Sequence, residues 1–348
     1  MKKVFPFLLI LCLLSACGKE KKAQVQFYTM DTVMTVTVYG EEAEEAARAV
    51  QQELVRLDKL WSRTDSQSEV SRINDRAGDG TEVTISPDTA GLLRRALRIM
   101  EDSAGTFNPM MAPVMDAWGF SKEEYRVPDG DELAELLPLT MQAPVVVWDD
   151  ELEQGYARLP AEGQRLDLGG IAKGEAAAAA ELTAWKYDIE GGVLDLGGNI
   201  SVFGSKPDNT AWKVAVKDPQ NTQEYLCVLT MKERTCSTSG GYERYFEQDG
   251  QTYHHIIDPA TGYPADSGLR CVTVVSQNAA WADGYSTAFF VMGAERALEF
   301  WKTEEEICGE MDLILVTEED HVYVTEGLKD GFEAQGKERG YTYEFVQR

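Results

Sequence analysis

Basic charge is what this chain has least of. Its 348 residues carry 59 Asp and Glu against 33 Lys and Arg, a formal net charge of −26. A surface this acidic is not drawn to nucleic acid or to anionic lipid. A phosphate-rich ligand would need a metal ion or local backbone donors to offset repulsion. No block of like charge is long enough to suggest a disordered acidic tail, so the acidity reads as a solubilising surface. Cysteine is sparse beyond the leader, and Cys227, Cys236, Cys271 and Cys308 match no zinc or CxxC spacing. Cys227 could pair with Cys236 across a hairpin, but free, buried thiols are the better reading. No P-loop and no GxGxxG fingerprint occurs. A Pro/Ser-rich linker is also missing after residue 25, which favours one large α+β domain or two intimately packed lobes.

A span-length apolar run is absent too. The opening MKKVFPFLLILCLLSAC has two lysines, about a dozen apolar residues and small residues before Cys17, the pattern of a secretory signal. Leu14-Ser15-Ala16-Cys17 resembles a lipobox, in which the Cys becomes the lipidated first residue. Residues 1–16 then read as signal peptide, 17–26 as a lipid-anchored tether, and 27–348 as the folded body. This places the protein on the extracytoplasmic face of a bacterial membrane, held by its acyl chains, palmitate included.

Hydrophobic spacing predicts a strand over 33–39 and a helix over 41–61. Ser86 as N-cap, Pro87 in the first turn and Gly105 as terminator bound a second helix. The Ala-rich stretch 171–187 reads as a third. Strands are expected at 269–276, 312–317, 321–325 and 341–346, and helices at 281–292 and 294–303. The order lacks the βαβ rhythm of a doubly wound sheet. Leu166-Asp167-Leu168-Gly169-Gly170 recurs as Leu194-Asp195-Leu196-Gly197-Gly198, flanking the Ala-rich helix as a strand, glycine turn, helix and strand would.

Four groups of residues carry chemistry. Asp283 and Thr287 are four apart on a helix, so a carboxylate and a hydroxyl can meet one hard cation. The plainer reading makes them a helix-dipole Asp and a Thr bonded to a carbonyl. Asp167-Leu-Gly-Gly-Ile-Ala-Lys173-Gly174 places two glycines and a lysine before a helix, a cradle for an anion. His255, where a strand meets the Asp258-Pro259 turn, can take a hydroxyl proton at neutral pH, or serve only to bond that turn. His254 belongs on the opposite strand face, and His321 looks like surface. Phe107-Asn108-Pro109 and Trp118-Gly119-Phe120 offer aromatics to a flat heterocycle or to a core.

The ordered set TMDTVMTV, FNPMMAPVMDAWGF, LDLGGIAKG, LDLGGNISVFG, STSGGYERYF, HHIIDPATGYP and ADGYSTAFFVMG resembles the ApbE family over roughly residues 27–345. These are bacterial FAD:protein FMN transferases, formerly considered thiamine-biosynthesis lipoproteins. The resemblance implies an ApbE-like, T-fold-related α+β fold that binds FAD and Mg²⁺. Such a protein moves FMN onto a Thr or Ser hydroxyl of a partner and releases AMP. It implies Asp283, Thr287 and the Gly170 carbonyl as Mg²⁺ ligands, and His255 as base. FAD contacts are implied at Met30, Thr64, Thr106, Phe107, Asn108, Asp167, Lys173 and His254. Thr64 stands where one family member has an aromatic flavin neighbour. Asn108 stands where an Asp is usual, and His254 where a Ser is common. Acceptors would be flavin-bearing subunits of membrane redox complexes or extracellular electron-transfer proteins. Two rivals are a Mg²⁺-dependent FAD pyrophosphatase, with water replacing the hydroxyl, and a non-catalytic FAD-delivery lipoprotein, which would need no base.

Overall fold

The structure is a computed structural model describing residues 21–121, 124–149 and 154–348. The signal segment and Cys17 lie outside the described residues. A nine-stranded sheet runs through the molecule. Its spatial order is Lys22–Thr29, Thr32–Tyr39, Gly191–Asp195, Asn199–Gly204, Arg234–Gly240, Leu269–Ser276, Asp312–Thr317, His321–Thr325 and Thr342–Val346. Every neighbouring pair is antiparallel except the last, which is parallel. Antiparallel pairing needs no crossover helix between strands, which accounts for the missing βαβ rhythm.

Both faces of the sheet are covered, and the central strands show it residue by residue. Val272, Val274, Leu313 and Leu315 face a core built with the helices Ala43–Trp61, Ala172–Ala184 and Ala279–Met292. Cys271, Val275, Ile314 and Val316 face a second core, closed by the small sheet Trp212–Lys217, Tyr225–Met231 and Phe332–Ala334. Period-two alternation sends each strand's side chains to two dry faces, so these strands read as continuous apolar runs. Cys227, Cys236 and Cys271 belong to the second core; with Cys308 they are free and buried. Burial pushes their thiols well up in pKa, so they behave as small hydrophobes.

The predicted helices and strands are present with ends shifted by a few residues. Ser86 caps the helix Pro87–Asp102, its hydroxyl accepting from the Thr89 amide. Two expectations change. The first strand begins at Lys22, inside the span read as tether, because Lys22–Thr29 pairs along its length with Thr32–Tyr39. Leu166–Gly170 belongs to no strand and ends in a turn at Gly169 and Gly170, whereas its echo closes the strand Gly191–Asp195. The shared device lies in the turn: Asp167 Oδ1 accepts from the Gly169 amide at 2.9 Å and Asp195 Oδ1 from the Gly197 amide at 3.2 Å.

A third apolar cluster, around Trp118, Phe120, Leu133 and Ile257, supports the 254–264 segment. Trp118 Nε1 donates to the Gly262 carbonyl at 2.7 Å. Trp118 is packed in this core, and Phe120, though buried, borders the cleft described below. Among the described residues no helix is long and apolar enough to cross a membrane.

Candidate active site

The helix Ala279–Met292 is buried on nearly every side, polar Asp283 and Ser286 included. It lies against the N-terminal end of the helix Ala172–Ala184, whose own N-cap, Ile171, supplies no side-chain bond. Asp283 fills that role from the neighbouring helix: its Oδ2 accepts from the Gly174 amide at 2.8 Å. The approach requires glycine, since a Cβ at Gly174 would stand 2.2 Å from the Ala279 carbonyl oxygen and 2.6 Å from Asp283 Cβ. A buried carboxylate resists ionisation, and burial raises the pKa of Asp283 although Lys173 and the amides of Gly174 and Lys173 pull it down.

Oxygen donors gather around this carboxylate. Thr287 Oγ1 lies 3.2 Å from Ser239 Oγ, which is itself 2.7 Å from Ser286 Oγ. A Cβ on Gly170 would come within 3.6 Å of Thr287 Oγ1, so the glycine turn and the Thr are neighbours. Beside them Asn199 and Ser237 face each other across two strands. Both are buried; the Asn199 amide reaches toward Asp283 and helps to lower its pKa, while the Ser237 hydroxyl lacks a hydrogen-bond partner. Among the described residues no group of three or more His, Cys, Asp or Glu could hold a metal. A cation here would rest on one carboxylate plus hydroxyl and carbonyl oxygens, a donor set that suits Mg²⁺ and leaves positions for phosphate oxygens. The buried acid and the unpaired Ser237 hydroxyl fit such an ion.

A cleft of about 910 Å³ opens next to this cluster, near the upper end of the range of about 300–1,000 Å³ for small-molecule sites. Of the residues implied for FAD, Met30, Thr64, Asp167 and Lys173 line it. Both echo turns line it as well, through Gly169 and through Gly197 and Gly198. Thr106, Phe107, Asn108 and His254 lie behind the wall rather than on it. Phe107 is buried with its ring 3.1 Å from where a Gly170 Cβ would sit, so it supports the glycine turn. Thr106 Oγ1 donates to the Ser103 carbonyl. Asn108 is occupied at both ends, donating to the Thr140 carbonyl at 3.0 Å and accepting from the Met110 amide at 2.8 Å. His254 packs edge-on against Phe290 and close to Gly241.

His255 follows the strand Gln251–His254 and lies on the other side from His254, edge-on to Phe120 with ring centroids 6.4 Å apart. Its Nδ1 is 3.1 Å from the Arg244 carbonyl oxygen. Burial, then the Arg244 charge, lowers its pKa to about 3, which keeps the imidazole neutral at physiological pH. Phe120 and Arg244 both line the cleft. His321 stands apart, with Nε2 3.1 Å from a Glu344 carboxylate oxygen.

Residues 30–309 match the ApbE family. The protein named FAD:protein FMN transferase from Treponema pallidum (strain Nichols) is 32% identical over 312 residues, covering 83% of this chain and 84% of that one. The protein of the same name from Klebsiella pneumoniae (strain 342) is 32% identical over 291 residues, covering 83% and 87%. The chain belongs to the ApbE family. The crystal structure of the ApbE protein from Thermotoga maritima superposes with a TM-score of 0.76 at 30% identity, covering 93% of this chain and 100% of that one. The apo form of the flavinyl transferase ApbE from Pseudomonas stutzeri gives 0.74 at 25% identity, covering 92% and 96%.

Within this ApbE protein two departures acquire physical meaning. Asn108 donates to a carbonyl, which an ionised Asp could not do. His254 fills the space beside Gly241, where a Cβ would stand 2.8 Å from the ring. The cleft also holds residues that sequence reasoning missed. Arg63 is a mostly buried side chain whose Nη2 reaches Asp116 at 2.8 Å and whose Nε reaches Asp167 at 3.0 Å; Ser121 joins the same cluster. Burial opposes the charge on Arg63, but Asp167 and Asp116 outweigh it and raise its pKa. Asp58 accepts from Thr29 Oγ1 at 2.7 Å and from the Met30 amide at 3.1 Å, holding Met30 in a left-handed turn with φ 48°. No motif flags either residue, because each acts through partners distant in sequence.

Proposed function

We propose that this protein is a Mg²⁺-dependent FAD:protein FMN transferase, moving FMN from FAD to a Thr or Ser hydroxyl of an acceptor flavoprotein and releasing AMP. The observation that carries the reading is the convergence of buried Asp283, Thr287 and the Gly170 turn behind Lys173 and Gly169, which line a cleft together with Arg244 and Phe120, the two residues in contact with His255. The relatives that match over most of the chain bear the name of this activity.

Asp283, Thr287 and the Gly170 carbonyl would hold the metal. When bound, Mg²⁺ would offset negative charge on the diphosphate. Lys173 and the amides at the start of its helix add local positive potential in an otherwise acidic protein. The hydroxyl oxygen attacks the phosphorus on the FMN side, the bond to the AMP phosphate breaks, and AMP leaves with the electron pair. The hydroxyl proton passes to His255. Holding hydroxyl, phosphorus and leaving oxygen in line supplies much of the rate, and the base contributes about 10²–10⁴-fold.

The N-terminal segment supports export and lipid attachment at Cys17, with residues 1–16 removed as a signal peptide. That would put the active site on the extracytoplasmic face of a bacterial membrane, beside acceptor subunits of redox complexes or extracellular electron-transfer proteins. The test is intact-mass analysis of a candidate flavoprotein domain incubated with the purified protein, FAD and Mg²⁺. A gain equal to one FMN ester, absent with EDTA and with His255→Ala, is expected. AMP and FMN without a mass gain would make hydrolysis the reading, and intact bound FAD with every acceptor would make it a delivery protein.

A further inference from the structure

Arg244 meets His255 by three routes. Its carbonyl oxygen accepts from the His255 main-chain amide at 3.0 Å and stands 3.1 Å from Nδ1. Its guanidinium donates to the Phe120 carbonyl at 2.8 Å, and the Phe120 ring is the one edge-on to the imidazole. The loop of contacts closes on itself, from ring to carbonyl, along the side chain to Phe120, and back to the ring.

A carbonyl can only accept, so the nitrogen facing it must carry the hydrogen. In a neutral imidazole this leaves the lone pair on Nε2. We propose that Arg244 is a positioning residue for the transfer reaction, presenting His255 as a neutral ring with its lone pair on Nε2. The proposal rests on the reading of His255 as the base.

The guanidinium also couples the base to the ligand. Arg244 and His254 from the same hairpin segment and Lys173 from the facing helix all oppose a proton on His255, after burial itself. Glu243, next to Arg244, feels Lys173 and Lys217 and the repulsion of Asp283. Within the protein only the Arg244 carbonyl favours a proton on the ring, and burial with the three positive neighbours outweighs it. An anionic diphosphate between Lys173 and Arg244, both cleft-lining, cancels that positive field and strengthens the base as the acceptor arrives. Linkage then requires the converse: a protonated His255 tightens binding of the anion.

The chain's three histidines make a direct test practical, since long-range nitrogen–proton spectra of the rings can be assigned with His254→Gln and His321→Gln. The expected wild-type result is a His255 ring protonated on Nδ1 that does not titrate between pH 5 and 8. FAD added in the presence of EDTA should move its titration upward. Arg244→Met keeps the carbonyl and so the proton on Nδ1, but without the charge and the Phe120 anchor it should move the titration upward without FAD, shift the ring resonances, and lower kcat by roughly 10²-fold with a smaller change in KM for FAD. Arg244→Lys keeps the charge but not the Phe120 anchor. It should keep the wild-type pH behaviour with reduced kcat, and it carries the test if the Met variant does not fold. An unchanged His255 spectrum in Arg244→Met, or unchanged kcat in both variants, would overturn the proposal. If the spectra change as described while wild-type protein transfers no FMN, Arg244 still positions the ring, and the transferase reading is what fails.

Discussion

The Gly174 amide donates to Asp283 Oδ2 at 2.8 Å, tying the first turn of one helix to the buried middle of another. The carboxylate that would hold the metal is thus also the cap of the helix Ala172–Ala184. Ligand and scaffold share one hydrogen bond.

That bond has a stability consequence. The folded pKa of Asp283 is raised by burial, so the stabilisation linked to it is full at low pH and lost as pH rises through the folded value. Once ionised, and with no metal bound, the acid opposes folding. Asp283→Asn should leave Tm of the metal-free protein unchanged or higher, while abolishing the Tm gain from Mg²⁺ and the transfer activity. A fall of several degrees in the metal-free variant would show that the acid stabilises the apo fold.

Gly174→Ala should fail for steric reasons. Its Cβ would meet the Ala279 carbonyl at 2.2 Å, backbone against backbone, which no rotamer change relieves. We expect a loss of at least about 1–3 kcal/mol in denaturant unfolding, with weaker FAD binding as the two helices separate. Wild-type stability would mean the helix contact is looser than described.

Arg63 joins Asp116 and Asp167 across the cleft floor. Arg63→Met should leave two partly buried carboxylates without their main partner, costing about 1–3 kcal/mol and raising Kd for FAD. Arg63→Lys, with a point charge in place of a fork, should recover part of the stability and little of the affinity. Calorimetry and flavin-fluorescence titration of both variants would check this, and equal affinity in wild type and Arg63→Met would remove Arg63 from the site.

His255 titrates in the other direction from Asp283. Its folded pKa, about 3, lies below the ordinary value of 6.5, so the unfolded chain takes up a proton that the folded one refuses. The associated stability is full above about pH 6.5 and is lost as pH falls toward 3. Wild-type Tm should therefore drop more between pH 7.5 and pH 5 than that of His255→Gln. Parallel curves for the two proteins would contradict the burial of the ring.

Much of this was legible in the chain. Alternation and helical spacing located the strand at 33–39, the helix ending at Trp61 and the helix capped by Ser86, because each depends on neighbours within a turn or two. Asp283 and Thr287 share a face by helical periodicity alone, and the ordered motifs carried the family. Local pattern failed where the partner is remote. Leu166–Gly170 looks like Leu194–Gly198, yet only the second copy finds strands to pair with. No local pattern shows that the Asn108 amide donates to the Thr140 carbonyl 32 residues on.

The sequence by itself determined the elements and, through its ordered motifs, the family, since periodicity and residue order are properties of the chain before it folds. Only the tertiary structure decided that Asp283 caps a second helix, that Arg63 spans two acids, and that Phe107 and His254 stand behind the cleft wall. Those outcomes depend on which surfaces meet when the helices close over the sheet, and burial and electrostatic fields exist only once they have.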